Sequence, residues 1–179
     1  MQPYTEILSE ILIDEPTLQA RIAELGAEIS RDYQGCDLVL ICILRGGMVF
    51  LVDLMRHVSV PHQIDFMAVS SYGAGVRQTA GHVRLSLDLK TDIVDKDVLL
   101  VEDIVDSGQT MAYLLRMLQA KSPASLRVCT LLNKPNRRVV DVPLDYVGFD
   151  IPDEFVLGYG LDYDEKHRNL PYVAVLKQG

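Results

Sequence analysis

Val98 to Thr110 reads VLLVEDIVDSGQT. Its first four residues, Val98-Leu99-Leu100-Val101, suit a strand buried on both faces of a parallel sheet. Glu102 and Asp103 follow where such a strand should end, and a short loop, Asp106-Ser107-Gly108-Gln109-Thr110, leads into a helix. Met111, Leu114, Leu115 and Leu118 mark that helix, because they fall at i, i+3, i+4 and i+7. Ligands of open α/β sheets bind beyond the carboxyl ends of strands, and the N–H groups at a helix start attract phosphate. The acidic pair and the Ser/Gly/Thr loop therefore stand where a phosphorylated ligand would bind.

The residue types suit that ligand. Gly108 lacks the side chain that would keep backbone amides from a phosphate, while Ser107 and Thr110 add hydroxyl donors. Neither GxxxxGK[ST] nor GxGxxG occurs in the chain. Glu102 and Asp103 would repel phosphate, but they can accept hydrogen bonds from sugar hydroxyls or hold a magnesium ion that phosphates share. A phosphate loop preceded by paired carboxylates thus points to a sugar phosphate. The alternative is a strand–turn–helix with a solvated acidic turn.

Moving outward, Leu38 to Ile43 reads as a central strand ending in Leu44-Arg45-Gly46-Gly47, with Leu51, Leu54, Met55 and Val58 on one face of the helix that follows. Arg45 could meet a pyrophosphate, although a plain tight turn also fits. Before it, Asp14 caps a helix carrying Leu18, Ile22, Leu25 and Ile29. Ile11-Leu12-Ile13 suggests a short strand in a lead-in spanning residues 1–15. Ile64, Phe66 and Ala68 alternate, as do Val83, Leu85, Leu87 and Leu89, so a hairpin with a long polar tip from Ser70 to His82 is expected. Leu126–Leu132 forms a further strand that Asn133-Lys134-Pro135 ends, and Tyr146–Phe149 a short one. Taken alone, Lys134 reads best as a solvated charge, and Arg137 and Arg138 as surface charges.

With 179 residues and 49% hydrophobic content, one domain with a substantial core is expected. The net charge of −8 argues against broad contact with nucleic acid or anionic membranes. The longest apolar run, Leu38–Leu44, is far too short to span a bilayer, and the acidic N-terminal stretch (Glu6, Glu10, Asp14) is no signal peptide. Cys36, Cys42 and Cys129 form no CxxC pair and read as buried reduced thiols, which fits a cytoplasmic location. His57, His62, His82 and His167 show no metal-ligand spacing.

The stretch VLLVEDIVDSGQT resembles the phosphoribosyl-pyrophosphate (PRPP) motif of type I phosphoribosyltransferases. Leu44-Arg45-Gly46-Gly47 is similar to that family's pyrophosphate loop, and IPDEFVLGYGLDYDEKHRNLPYV, from Ile151 to Val173, to the closing segment of its 6-oxopurine (hypoxanthine-guanine) group. The matched pieces run in family order from Leu44 to Arg168. The implied fold is a mostly parallel α/β sheet flanked by helices, a single domain over 1–179. A small hood over the base would be built from the N-terminal lead-in and residues 150–179.

The implied reaction joins a purine to PRPP and releases pyrophosphate. Glu102 and Asp103 would hold the ribose hydroxyls, directly or through Mg2+, and Ser107, Gly108, Gln109 and Thr110 the 5′-phosphate. Asp106 aligns with the family's base at purine N7, its alternative being a loop cap. Leu44, Arg45, Gly46 and Arg168 would meet pyrophosphate, with a cis peptide at Leu44–Arg45. Ser71 and Tyr72 would close a lid. Lys134 matches the residue that reaches the 6-oxo group; lysine only donates, so it suits a carbonyl and not adenine's amino group. Phe155 would stack on the base, Val156 would contact its edge through the backbone, and Asp162 would join the base site as a second magnesium ligand.

The resemblance implies PRPP, hypoxanthine and guanine as substrates and a homo-oligomer, dimer or tetramer. Many relatives carry lysine at Arg45, which keeps the charge. Some carry lysine at Glu154, so the hood here is more acidic. The rival class is an inactive PRPP-sensing regulator that binds nucleic acid; the acidic balance and the presence of Asp106 oppose it. A transferase for another base, such as xanthine, is the nearer rival.

Overall fold

The computed structural model describes residues 6–71 and 83–177. Two sheets organise them. The larger has six strands in the order β4-β3-β2-β5-β6-β7, where β2 is Leu38–Leu44, β3 His62–Ser71, β4 Val83–Leu87, β5 Asp97–Val105, β6 Ser125–Asn133 and β7 Tyr146–Asp150. All neighbours are parallel except β3 and β4. The smaller sheet joins both ends of the chain. Its strand β9 (Val173–Leu176) pairs antiparallel with β1 (Leu8–Ile13) on one side and β8 (Val156–Leu157) on the other.

Alternation along the central strands explains the layers. Leu38, Leu40 and Cys42 of β2, with Leu99 and Val101 of β5, pack in one cluster with Leu18, Ile22, Leu25 and Ile29 of α1 (Glu15–Asp32) and Phe50, Leu51 and Leu54 of α2 (Gly47–His57). Val39, Ile41 and Ile43, with Val98 and Leu100, pack on the opposite face against Met111, Leu114 and Leu118 of α3 (Gln109–Gln119). Strands buried on both faces need apolar residues at every position, which is why β2 and β5 read as continuous apolar runs.

From β2 the chain passes through α2 to β3 on one side of the sheet, then returns to lay β5 on the other side of β2. The β2–α2–β3 and β5–α3–β6 crossovers leave in opposite directions, so their helices cover opposite faces and a crevice opens between the carboxyl ends of β2 and β5. The parallel register Leu38↔Asp97 through Cys42↔Val101 brings Leu44-Arg45-Gly46-Gly47 alongside the segment that follows Val101.

Several expectations shift in detail. β5 continues through Glu102 and Asp103 to Val105, because Glu102, Ile104 and Val105 still pair with Thr130, Leu132 and Asn133 of β6. Gln109 already belongs to α3, so the phosphate loop is shorter than the sequence suggests. In β3, Ile64 is exposed whereas Asp65 and Met67 are buried, and the pairing with β4 slips at Ala68/Val69, leaving Leu87 exposed. Leu115 is only half-buried, at the rim of its cluster. Cys42 and Cys129 are buried free thiols, with burial pushing Cys42 up to about 12, while Cys36 is half-buried. Among the described residues no helix is long and apolar enough to cross a membrane.

Candidate active site

Glu102 and Asp103 sit on the carboxyl end of β5 at 8% and 9% exposure. Their carboxylates accept from neighbouring backbone: Asp103 N–H to Glu102 Oε1 at 3.2 Å and Ile104 N–H to Asp103 Oδ1 at 2.9 Å. Among the described residues neither makes an ion pair. Burial, reinforced by the neighbouring Asp103 carboxylate, pushes Glu102 well above the usual carboxylate range. Burial also raises Asp103, against the opposing charge of Arg168. Two adjacent buried acids without a cation form a donor set suited to hydroxyl groups or a divalent ion.

The pyrophosphate-type loop touches this pair. A Cβ on Gly46 would lie 1.6 Å from Asp103 Oδ2, so only glycine allows the loop this close to the carboxylate. The Leu44–Arg45 peptide is cis, as the resemblance implies.

A cleft of about 100 Å³ follows, lined by Glu102, Ile104, Asp106, Ser107, Gly108, Thr110 and neighbours. Here α3 begins without a side-chain cap, apart from a long 3.4 Å contact between Gln109 N–H and Ser107 Oγ. By contrast, Asp14 caps α1, accepting from Thr17 N–H at 3.0 Å. The early N–H groups of α3 thus lack the internal partner that α1 has, as an anion site requires. Gly108 takes a left-handed φ of 82°, and a Cβ there would lie 2.2 Å from the carbonyl oxygen of Val140. Glycine is therefore required by packing. Gln109 itself is exposed.

A second cavity, of about 430 Å³, adjoins the first and shares Ile104 and Asp106 with it. Its other walls are Lys134, Arg137, Asp153, Phe155, Val156, Leu161 and Asp162. The volume falls in the range of small-molecule sites, about 300–1,000 Å³. Lys134, read in isolation as a solvated charge, is only 6% exposed, and its Nζ donates to the Glu154 carbonyl at 2.7 Å, which leaves two of its three N–H donors for a ligand. Phe155 keeps 51% exposure, with Tyr163 edge-on at a centroid distance of 6.0 Å, so it is no core phenylalanine and one aromatic face is open to a planar ring.

Arg45 and Arg168, 123 positions apart in the sequence, converge on one carboxylate. Glu165 accepts from Arg45 Nη2 at 2.6 Å through Oε1 and from Arg168 Nη2 at 3.3 Å through Oε2. Arg168 also pairs with Asp162 at 2.7 Å and donates to the Gly160 carbonyl at 2.8 Å. A two-residue hairpin turn presents Glu165: Tyr163 and Lys166 exchange backbone hydrogen bonds, and Asp164 and Glu165 both take positive φ. No three acidic, His or Cys side chains gather into a metal-holding group among the described residues, so Glu102–Asp103 and Asp162 are separate donor sets.

Of the two lid residues, Ser71 ends β3 opposite Val83, and Tyr72 lies outside the described residues. Sequence reasoning missed Arg137, Asp153, Ile104, Leu161 and Glu165. Arg137 is exposed, as expected of a surface charge, but it also lines the second cavity and lies 3.1 Å from Asp106. Arg138 is half-buried and donates to Asn133 Oδ1. Ile104 lies inside the stretch VLLVEDIVDSGQT, and Asp153, Leu161 and Glu165 inside the segment Ile151–Val173, but nothing local singles out these positions from their neighbours, because their contacts form only after folding.

Comparison with known proteins agrees with this geometry. Residues 9–164 match the phosphoribosyl transferase domain, and the chain belongs to that family. Similar proteins include the hypoxanthine phosphoribosyltransferase of Salmonella typhimurium, 52% identical over 167 residues covering 92% of this chain and 93% of the relative. The hypoxanthine-guanine phosphoribosyltransferase of Mycobacterium tuberculosis is 50% identical over 179 residues, covering 97% of this chain and 88% of the relative. A crystal structure of a hypoxanthine phosphoribosyltransferase from Staphylococcus aureus superposes with a TM-score of 0.93 at 46% identity, covering 99% of this chain and 96% of that one.

Proposed function

We infer that this chain transfers the 5-phosphoribosyl group of PRPP to hypoxanthine and guanine, giving IMP or GMP and pyrophosphate. The observation that carries the reading is the shared wall. One carboxylate, Asp106, lines both the cleft at the start of α3 and the cavity holding Lys134 and Phe155, so a phosphosugar and a planar base would meet beside it.

The residue roles follow from their chemistry. Ser107, Gly108, Gln109 and Thr110 hold the 5′-phosphate with hydroxyls and the uncapped N–H groups of α3. Glu102 and Asp103 accept from the ribose hydroxyls. Arg45 and Arg168 take the leaving pyrophosphate, whose charge replaces that of Glu165. Leu44 and Gly46 shape the loop around it. Phe155 stacks on the purine, the backbone of Val156 meets its edge, and Lys134 donates to the 6-oxo group. Asp106 accepts the proton leaving N7 as the glycosidic bond forms. Glu102 and Asp103, and at a second position Asp162, would hold Mg2+, which would supply charge neutralisation for the departing pyrophosphate. Ser71 and Tyr72 belong to a lid that keeps water from the ribosyl cation. The sheet formed by β1, β9 and β8 serves as the hood, and the working protein is a homo-oligomer in the cytoplasm.

The test is nucleotide formation from hypoxanthine, guanine, xanthine and adenine, each with PRPP and magnesium. Turnover of hypoxanthine or guanine with adenine inert supports the assignment, while PRPP binding without turnover of any base moves it to a sensor. In Lys134→Gln, whose amide both donates and accepts, discrimination against adenine should relax by about tenfold or more. Unchanged base preference would remove Lys134 from the specificity argument.

A further inference from the structure

We propose that Arg137 is a positioning residue for the reaction: it orients the Asp106 carboxylate and ties it to Asp153 on the rim of the base cavity. This rests on the reading of Asp106 as the proton acceptor. The turn Pro135–Arg137, a single 3-10 turn closed by Arg137 N–H to the Lys134 carbonyl at 3.2 Å, swings the side chain back toward the cavity. Its Nε lies 3.1 Å from Asp106 Oδ1 and its Nη1 3.3 Å from Asp153 Oδ1. These nitrogens lie on different edges of the planar guanidinium, so one side chain holds apart and aligns two carboxylates that otherwise repel.

Three further observations fix the arrangement. Asp106 Oδ1 is shut off from solvent and makes no hydrogen bond of good geometry, so the charge contact with Arg137 is what engages it. That leaves Oδ2 as the oxygen available to the purine. The strap after the turn is stitched to the phosphate loop: Val139 and Val140 N–H both donate to the Ser107 carbonyl, at 2.9 and 3.0 Å. Arg137 is therefore carried in a fixed relation to the residue it orients. Finally, the Arg137 and Asp106 side chains remain 52% and 42% exposed. A pair that open to water adds little to folding, so its role is orientation and not stability.

Arg137→Gln and Arg137→Lys should be compared with wild type, with the purine varied at saturating PRPP and PRPP varied at saturating purine. Arg137→Gln should lower kcat by about 10- to 100-fold. The KM for PRPP should stay within about twofold, and Tm should be unchanged within about 1 °C. Arg137→Lys, which restores the charge without the fork, should recover part of kcat. In the double variant Arg137→Gln/Asp106→Asn, the Arg137 change should slow turnover no further than Asp106→Asn alone. A kcat for Arg137→Gln within about twofold of wild type would overturn the proposal, and so would the full loss repeating on the Asp106→Asn background. Asp106→Asn at wild-type activity would instead overturn the base assignment itself, so the two failures are distinguishable.

Discussion

Asp65 in β3 and the Glu102–Asp103 pair at the end of β5 are buried to nearly the same degree, 8%, 8% and 9% exposed, yet the protein treats them oppositely. Asp65 accepts three backbone N–H bonds, from Thr91 at 2.7 Å and from Phe66 and Lys90 at 2.8 Å. Burial alone would raise it, but those bonds prevail and hold it below the usual carboxylate range. Glu102 and Asp103 have one backbone donor each, too few to offset burial, so both are raised, Glu102 further by the neighbouring Asp103 carboxylate. The donor count separates the two kinds of acid. Asp65 is satisfied by the fold; the pair keeps spare acceptor capacity.

Asp106 sharpens the contrast, being an acid of the same loop that is half-exposed and so contributes little to folding. Asp106→Asn should cut kcat by about 100-fold or more while leaving Tm and PRPP binding nearly intact. Equal loss of turnover and PRPP binding would assign it a structural role.

Asp65→Ala should cost about 2–4 kcal/mol of stability, because three part-buried N–H groups lose their acceptor. The sign with pH follows from its lowered value. The stabilisation is present above the unfolded-state value and disappears as pH falls through the folded one. Denaturant melts of wild type and variant should therefore converge in acid, and a constant gap would detach the effect from ionisation.

Glu102→Gln should do the reverse. A raised folded value means that the folded chain binds the extra proton, so wild-type stability falls as pH rises from the unfolded-state value through the folded one. At neutral pH the variant should be more stable by about 0.5–2 kcal/mol and should bind PRPP more weakly. The gain should vanish near pH 4. A loss of stability at pH 7 would erase the distinction between the two kinds of acid.

The smallest effect belongs to Glu165, which is exposed together with Arg45. Glu165→Gln should leave Tm within about 2 °C and lower the KM for PRPP by about two- to fivefold, since Arg45 would lose its carboxylate partner and Arg168 would keep only the Asp162 carboxylate. A raised KM would show that Glu165 assists binding.

The individual strands and helices were legible because their periods are local properties of the chain. Continuous apolar runs announced β2 and β5, and a 3.6-residue stripe announced α1 and α3. The spacing of Glu102, Asp103, Asp106, Ser107 and Thr110 was legible for the same reason, since one strand end and one helix start carry them all. Lys134 and Arg137 were not: taken alone, one read as a solvated charge and the other as a surface charge, although both line the larger cavity. Their positions depend on β6 lying beside β5 and on the strap after it bonding back to Ser107. The same holds for Gly46 against Asp103, which needs the parallel register of β2 with β5, and for Arg45 meeting Glu165 across the fold. The sequence by itself determined the elements and the chemistry each loop carries, because both are written in neighbouring residues. Only the tertiary structure decided which loops share a site and which buried charges find donors, because strand order and side-chain contacts at long range are settled by packing the whole core at once.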